Sequence, residues 1–145
     1  MYEIERLKDL EEKSECCRRK VGAIIIDKNN EIIGSGYNKI IDYSNSCIKC
    51  GCKRKISGEK LNECDAIHAE IMALQDILYQ NKRITSYYLE QCKIYVSTFP
   101  CHECAKAIIN AGIKTILYIN DYPTMSNDLK MLKDNGITVI KLHIN

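Results

Sequence analysis

The sequence predicts an α/β fold in which a mixed β-sheet lies between layers of helices, a three-layer α-β-α arrangement. Helical and strand patterns alternate along the second half of the chain, which indicates parallel strands joined by crossover helices. Helix-end signals fall where this alternation needs them, since Pro100 precedes one helical segment and Gly112 follows it. The length of 145 residues and the hydrophobic content of 46% fit one compact domain with its own core.

Hydrophobic periodicity assigns each element in turn. The first helix is indicated by Ile4, Leu7 and Leu10, which recur among charged residues. For the last helix, Ser126 is a candidate N-cap and Gly136 a stop. The predicted elements are a helix at 2–13, strands at 21–27 and 31–37 joined by a turn at 28–30, a helix at 66–80, a strand at 93–97, a helix at 101–111, a strand at 115–119, a helix at 126–135 and a strand at 138–142.

One long segment, residues 38–64, has neither helical nor strand periodicity and holds four of the nine cysteines. A loop of this length inside a small domain is usually functional or held in place by something. There is no internal repeat and no linker composition along the chain. The sequence therefore predicts a single domain over residues 1–145, with a Cys-rich inserted loop at 38–64.

Composition narrows the class of protein. Lys and Arg number 21 against 19 Asp and Glu, so the net charge of +2 argues against a large nucleic-acid surface. No stretch approaches the roughly 20 apolar residues that cross a membrane, and the charged start at 1–13 does not resemble a signal peptide. We expect a cytoplasmic protein, in which nine cysteines indicate metal binding or catalysis before disulfides.

Two short motifs at the starts of two predicted helices contain the candidate metal-binding and catalytic residues: His68-Ala69-Glu70 and Pro100-Cys101-His102-Glu103-Cys104. One imidazole and two thiolates give zinc three ligands and leave a fourth tetrahedral position for water. Such a water becomes hydroxide with a pKa of about 7. Glu70, two residues beyond His68, can take the proton of that water and pass it to a leaving amine. This H-x-E with P-C-x-x-C combination is the known signature of zinc nucleobase deaminases.

Each motif alone has an ordinary structural explanation. His68 could be a hydrogen-bonded histidine of the core, and Cys101 with Cys104 could be half of a structural zinc site. The combination, with each motif opening a helix and a strand ahead of the second, is what favours a catalytic zinc.

Over nearly its whole length the chain resembles the deoxycytidylate (dCMP) deaminases of the cytidine-deaminase fold superfamily. The resemblance rests on CCRRKVGA at 16–23, GYN at 36–38, CDAIHAE at 64–70 and IYVSTFPCHECAKAIINAGIK at 94–114. It implies a five-stranded mixed sheet, assembly as a homo-oligomer such as a dimer or hexamer, and zinc-dependent hydrolysis of dCMP to dUMP and ammonia.

The resemblance also implies roles for single residues. It makes His68, Cys101 and Cys104 the ligands of the catalytic zinc and Glu70 the proton shuttle. Asn38 falls on the family's substrate-contacting Asn, where an amide can both donate and accept, although alone it would be read as a turn residue. Two further candidate substrate contacts are Ala69 and Tyr122, the latter of which could stack on a base or simply pack.

A second, structural zinc is implied by the cysteines of the inserted loop and its neighbours. In one branch of the family, such a site falls on Cys16, Cys47, Cys52 and Cys64, and Cys50 could replace one of these four. Four thiolates would hold the loop and could offset the entropy of ordering it. Reduced thiols without metal are the alternative. Cys17 and Cys92 are best explained as buried thiols.

The chain departs from the family at Lys39, where members regulated by deoxynucleoside triphosphates usually have Gly followed by a Gly-rich loop. Backbone amides of such a loop approach phosphate closely. Without it, both the family's phosphate contact and regulation by dCTP are in doubt. Cations that could replace it are Arg18, Arg19, Lys39 and Arg54.

Two alternatives to a dCMP deaminase stay open. Met72 stands where dCMP deaminases usually have Asn, and HAEIMAL at 68–74 resembles the tRNA adenosine deaminases. Phe99 and the low net charge argue against membership of that second family. The other alternative is a non-catalytic, Cys-rich zinc-binding module, in which both zinc ions have four protein ligands. The sequence leaves open whether the 5′-phosphate is required.

Overall fold

A computed structural model describes residues 2–16, 19–41, 66–80 and 84–144. Its elements in chain order are α1 (Tyr2–Lys13), β1 (Gly22–Ile26), β2 (Ile32–Tyr37), β3 (Lys39–Ile40), β4 (Ala66–Ile67), α2 (Ala69–Tyr79), α3 (Ser86–Leu89), β5 (Lys93–Thr98), α4 (His102–Ala111), β6 (Thr115–Asn120), α5 (Met125–Asp134) and β7 (Thr138–Lys141). None of the helices within these described ranges is long and apolar enough to cross a membrane.

The main sheet has five strands in the order β2-β1-β5-β6-β7. Strand β1 pairs antiparallel with both β2 and β5, whereas β5, β6 and β7 are parallel. The predicted five-stranded mixed sheet, with parallel strands in the second half of the chain, is therefore confirmed. The strand register brings the start of β1 beside the ends of β2 and β5, since Gly22 pairs with Tyr37 and Ala23 with Val96.

Apolar side chains on the two faces of β1 form separate cores, as the period of two in a strand requires. Ile24 and Ile26 pack on α1 through Leu7 and Leu10. The opposite face of the sheet packs against α2, α4 and α5 in a larger cluster, which includes Ala23, Ile25, Ala73, Ile94, Val96, Ile108 and Leu132. Helices thus cover both faces, as the three-layer prediction requires.

Helix α2 lies almost directly on β2 because two glycines leave room for it. A Cβ atom at Gly36 would lie 2.5 Å from the carbonyl oxygen of Ala69 and the backbone nitrogen of Ala73. A Cβ at Gly34 would lie 2.5 Å from the Ala73 carbonyl oxygen. These contacts fix the first turn of α2 against the sheet, and this turn holds the HAE motif.

Three details of the predicted elements were wrong. The helix predicted at 66–80 begins at Ala69, because Ala66–Ile67 is a strand that pairs antiparallel with Lys39–Ile40. Helix α3 was not predicted, since four residues are too few to show a period. Ser126 is not an N-cap: α5 begins one residue earlier, after Thr124.

Of the inserted loop predicted at 38–64, only residues 38–41 belong to the described part of the chain. Two of these residues form β3 rather than loop.

Candidate functional site

Two helix N-termini meet at the candidate site. His68 is the N-cap residue of α2, and Cys101 is the N-cap residue of α4; both have extended backbone conformations. Cys104 lies in the first turn of α4, so its side chain points to the same side as Cys101. Neither N-cap side chain makes a capping hydrogen bond to its own helix. Both side chains are directed at each other instead.

The side chains of His68, Cys101 and Cys104 have the spacing of a zinc site. Sγ of Cys101 lies 3.4 Å from Nδ1 of His68, and Sγ of Cys104 lies 3.5 Å from the same atom. All three potential ligand atoms lie within 4.8 Å of one another. In tetrahedral zinc with Zn–S bonds of about 2.3 Å and Zn–N bonds of about 2.0 Å, sulfur and nitrogen ligands are about 3.5 Å apart. These residues therefore fit zinc, and within the part of the chain that the structure describes they leave one tetrahedral position without a protein ligand.

The two thiols of this cluster have pKa values shifted in opposite directions. A hydrogen bond from the Cys104 thiol, together with His68, lowers the pKa of Cys101 to about 4 despite burial. The pKa of Cys104 is raised, because its thiol bonds to Cys101 and is itself buried. The opposite directions of the two shifts show that the two sulfur atoms interact strongly. A sulfur anion is also favoured at a helix N-terminus.

Glu70 lies in the first turn of α2 and is only 3% exposed. Burial raises the pKa of its carboxyl group, and the charge of His68 opposes this shift. A buried carboxylate is costly unless it has a partner or a task. Its place beside the three ligands gives it access to a proton on a group bound there.

A pocket opens beside this cluster at one edge of the main sheet. Its wall is formed by the two helix N-termini and by residues at or next to the ends of four strands. These residues lie at the start of β1, after β2, at the end of β5 and after β6. Its lining consists of Cys16, Arg19, Val21, Asn38, His68, Ala69, Glu70, Thr98, Phe99, Cys101 and Tyr122. The sequence-predicted substrate contacts Asn38, Ala69 and Tyr122 thus all lie at the same pocket as the predicted zinc ligands.

Asn38 is 6% exposed and joins two parts of the pocket wall. Its Oδ1 accepts a hydrogen bond of 3.0 Å from the N–H of Val21, and its carbonyl oxygen accepts one of 2.9 Å from the N–H of Glu15. Glu15 in turn accepts a hydrogen bond from the N–H of Ile40. These bonds fix the amide so that, among the described residues, its Nδ2 donates to no protein atom and is available to a ligand.

Arg19 and Tyr122 face each other in the pocket wall. The guanidinium carbon of Arg19 lies 4.8 Å from the centre of the Tyr122 ring, which is a cation–π geometry. Of the described Lys and Arg residues, Arg19 alone lines the pocket, whereas Lys39 is exposed outside it. From the sequence, Arg19 was one of four equal candidates for a phosphate contact, since nothing in a single sequence shows which cation faces the pocket.

The other pocket residues had weaker signals in the sequence. Thr98 and Phe99 were not predicted, and their only signal is their position at the end of β5, directly before Pro100. The Phe99 ring packs edge-on against Tyr118, with ring centres 5.1 Å apart, so it also belongs to the core.

The remaining predicted residues divide between described and undescribed parts. Cys16 is buried at the pocket, and Cys92 is a buried thiol. The others lie outside the described residues: Cys17, Arg18, Cys47, Cys50, Cys52, Arg54 and Cys64.

Comparison with known proteins places residues 2–120 in the family described as the cytidine and deoxycytidylate deaminase zinc-binding region. Deoxycytidylate deaminase of Saccharomyces cerevisiae is 32% identical over 133 residues, which cover 88% of this chain and 39% of the yeast protein. Human deoxycytidylate deaminase is 36% identical over 107 residues, which cover 70% of this chain and 53% of the human protein. The chain thus spans about half or less of the length of these relatives.

Among solved structures, the chain resembles a dCMP deaminase from the cyanophage S-TIM5 in complex with dCMP and dUMP. The TM-score is 0.72 and the identity 25%, and the match covers 97% of this chain and 93% of the phage chain.

Proposed function

Because the chain belongs to the cytidine and deoxycytidylate deaminase family, we propose that it hydrolyses a cytosine nucleotide, with dCMP and water giving dUMP and ammonia. The observation on which this proposal depends is the buried Glu70 beside the His68, Cys101 and Cys104 cluster. A purely structural zinc site needs no buried carboxylate next to it, whereas hydrolytic deamination needs a group that moves protons.

The residues present divide this chemistry among themselves. His68, Cys101 and Cys104 would hold zinc, which when bound lowers the pKa of water to about 7 and so supplies hydroxide at neutral pH. Glu70 accepts the proton of the attacking water on its carboxylate and passes it to the ring nitrogen next to the amino group. It then takes the proton of the new hydroxyl group on the ring carbon and gives it to the leaving amine, so that the carbonyl of dUMP forms as ammonia departs. The raised pKa of Glu70 suits it to hold a proton between these transfers.

Pocket residues orient the nucleotide for this reaction. The Nδ2 of Asn38 donates a hydrogen bond to the sugar, and the Tyr122 ring packs against the base or sugar. Arg19, which lies over the Tyr122 ring, would contact the phosphate, and its position in the pocket wall supports this role. The cyanophage structure with bound dCMP and dUMP supports a nucleoside monophosphate as the substrate class.

The experiment that tests the proposal is a substrate panel with ammonia detection, using zinc-loaded protein. We expect release from dCMP, with less or none from CMP, deoxycytidine, cytosine and dCTP. Replacing Glu70 with Gln keeps size and zinc content but should lower kcat by at least roughly 100-fold, since general acid–base catalysis contributes about 10²–10⁴. Glu103→Gln is the matched control, because Glu103 is exposed on the same zinc-binding helix.

A tRNA anticodon stem, added to the panel as a further substrate, distinguishes the alternative functions. Deamination of adenosine in a tRNA anticodon stem, without activity on dCMP, would assign the chain to nucleic-acid editing. Zinc-loaded protein that releases ammonia from no substrate would be a non-catalytic zinc-binding module. Full turnover by Glu70→Gln would contradict the mechanism even if dCMP is the substrate.

We also propose a second, structural zinc held by Cys16, Cys47, Cys52 and Cys64, with Cys50 as a possible substitute. The position of Cys16, buried where the 15–21 segment meets Asn38, supports it, because a metal bound there would fix the pocket wall. Metal analysis should find two zinc ions per chain, and one in Cys47→Ser. Cys92→Ser, which changes a buried thiol elsewhere, should keep two. One zinc in the unmodified protein would contradict this second site.

Assembly into a dimer or hexamer is a further proposal. An apolar groove lies between α2, α3 and α4, and the side chain of Leu78, which lines it, is 72% exposed. Exposed apolar surface of this kind is typical of a subunit contact. Light scattering should give a mass of two or six chains, which Leu78→Lys should reduce and Ile140→Lys, an exposed change on β7, should not.

A cytoplasmic location is proposed on the state of the thiols. Cys92, Cys101 and Cys104 are all free, which a reducing compartment maintains. Cell fractionation tests it, and recovery in a membrane or secreted fraction would contradict it.

A further inference from the structure

His102 and Asp128 connect the zinc-binding helix to its neighbour. Nδ1 of His102, the first residue of α4, lies 2.6 Å from Oδ1 of Asp128 in the first turn of α5. The Asp128 side chain is 8% exposed, whereas that of His102 is 55% exposed. Because a carboxylate accepts and cannot donate, Nδ1 is the donor in this bond. A short hydrogen bond to a charged group is among the stronger ones that a protein makes.

The zinc-binding end of α4 needs such a restraint because its normal cap is missing. A helix usually begins with a Ser, Thr, Asp or Asn side chain that bonds to its free N–H groups. In α4 that position is Cys101, which makes no capping bond and points to His68 instead. His68 at the start of α2 likewise makes no capping bond, but there the close contact with Gly36 fixes the first turn. No equivalent glycine contact is present at α4 within the described residues.

His102 is bonded directly to Cys101 and precedes Cys104 by two residues. Any shift of the His102 backbone therefore moves both sulfur atoms relative to His68. Their separations of 3.4 and 3.5 Å from Nδ1 are those that zinc requires, and metal sites tolerate displacements of only about 0.5 Å. The bond to Asp128 holds this backbone from outside the pocket.

Asp128 also lies close in the chain to the pocket wall. Helix α5 begins three residues after Tyr122, and the N–H of Met125 bonds to the Tyr122 carbonyl oxygen at 3.1 Å. The element that holds His102 is thus the one that follows the pocket tyrosine.

From this arrangement we infer that Asp128 is a positioning residue, which acts through His102 to hold Cys101 and Cys104 at zinc-binding distance. The inference rests on the proposed function only in taking zinc as the metal. Asp128 touches neither substrate nor metal, and its effect is on the geometry of the two thiolates.

The test is zinc affinity, measured by competition with a chromophoric chelator and without substrate. Removing groups that orient metal ligands typically costs 10–100-fold in affinity. We expect His102→Ala and Asp128→Ala each to weaken zinc binding about tenfold. Asp128→Asn, which keeps an acceptor oxygen, should lose less. The double variant should be no weaker than the worse single variant, since both changes remove the same bond.

Lys130→Met is the matched control, because it breaks the exposed Lys130–Asp134 pair on the same helix. It should leave zinc affinity unchanged. His102 is more than half exposed, so His102→Ala is expected to fold even if Asp128→Ala does not. Unchanged zinc affinity in folded His102→Ala would overturn the inference, as would additive losses in the double variant. A lower melting temperature with normal zinc affinity would indicate a structural role alone and also overturn it.

Failure of this inference and failure of the proposed function are separate results. Protein that binds zinc with the expected dependence on His102 but does not deaminate dCMP would contradict only the function. Normal dCMP turnover with zinc affinity independent of His102 would contradict only the positioning role.

Discussion

Oδ1 of Asn38 and the N–H of Val21 form a buried hydrogen bond of 3.0 Å that joins the end of β2 to the segment leading into β1. The same side chain lines the pocket, so its two polar atoms have different tasks. The oxygen joins two segments of the protein, and the proposed function assigns the nitrogen to the substrate.

This division of tasks predicts different results for two substitutions of Asn38. Asn38→Asp keeps the acceptor for Val21 but loses the donor, so it should fold normally while KM for dCMP rises about tenfold, the value of one lost hydrogen bond. Asn38→Ala leaves a buried N–H unpaired and should also lower the free energy of unfolding by about 1–3 kcal/mol. Urea denaturation and steady-state kinetics measure the two effects. Equal KM values for Asn38→Asp and the unmodified protein would contradict the substrate contact.

Arg19→Gln should change the preference for the phosphate rather than the chemistry. A hydrogen bond to a charged group is worth about 1.5–3 kcal/mol, so kcat/KM for dCMP should fall roughly 10–100-fold. Turnover of deoxycytidine should stay within about twofold, because this substrate lacks the phosphate that the guanidinium is proposed to contact. Lys20→Gln, the exposed neighbouring cation, is the control. Equal losses on both substrates would show that Arg19 supports the pocket without reading the phosphate.

Gly36→Ala should disturb the start of α2. The new methyl group would lie 2.5 Å from backbone atoms of Ala69 and Ala73, which cannot rotate away. Overpacking of this kind costs about 1–3 kcal/mol, and here it also displaces His68 and Glu70. We expect a lower melting temperature and a loss of activity that exceeds the loss of folded protein. Ser35→Ala, on the opposite face of β2, should change neither; a fully active Gly36→Ala would show that α2 can move without consequence.

The raised pKa of the Cys92 thiol predicts how the free energy of unfolding changes at alkaline pH. Burial and the charge of Asp27 raise the pKa of this thiol to about 11, above the value of about 8.5 in an unfolded chain. Below pH 8.5 the thiol is protonated in both states. As the pH rises from there towards 11, the unfolded chain releases its proton first, so unfolding becomes more favourable.

The free energy of unfolding of the unmodified protein should therefore exceed that of Cys92→Ala by a constant amount below pH 8.5. This difference should decrease by about 1 kcal/mol or more by pH 11. Urea denaturation at pH 7, 8, 9, 10 and 11 measures the narrowing. Curves that stay parallel over this range would contradict it.

Local signals accounted for most of the fold. Pro100 and Gly112 marked the ends of α4 to within one residue, and Gly112 adopts the left-handed conformation expected of a helix stop. What local signals could not show was pairing between distant segments. Ala66 and Ile67 have helical periodicity with the residues that follow, but hydrogen bonding to β3 makes them a strand.

The candidate site shows the same limit. His68, Cys101 and Cys104 could be predicted because their spacing and residue types are dictated by the coordination of zinc. The contacts of Arg19 with Tyr122 and of His102 with Asp128 follow no spacing rule, since each joins side chains from separate elements. Only the folded chain shows which of several charged residues meet.

Because β1 and β2 are antiparallel while β5 and β6 are parallel, four chain segments reach the pocket at one sheet edge. The candidate metal ligands come from the N-terminal ends of α2 and α4. Arg19, Asn38 and Tyr122 come instead from connections between secondary-structure elements. In the proposed function, the residues that select the ligand and the residues that carry out the reaction therefore lie on different segments of the chain. Under the proposed function, changes confined to these three connections would alter which amino-bearing ring the pocket accepts, while the His68, Cys101 and Cys104 cluster stays unchanged.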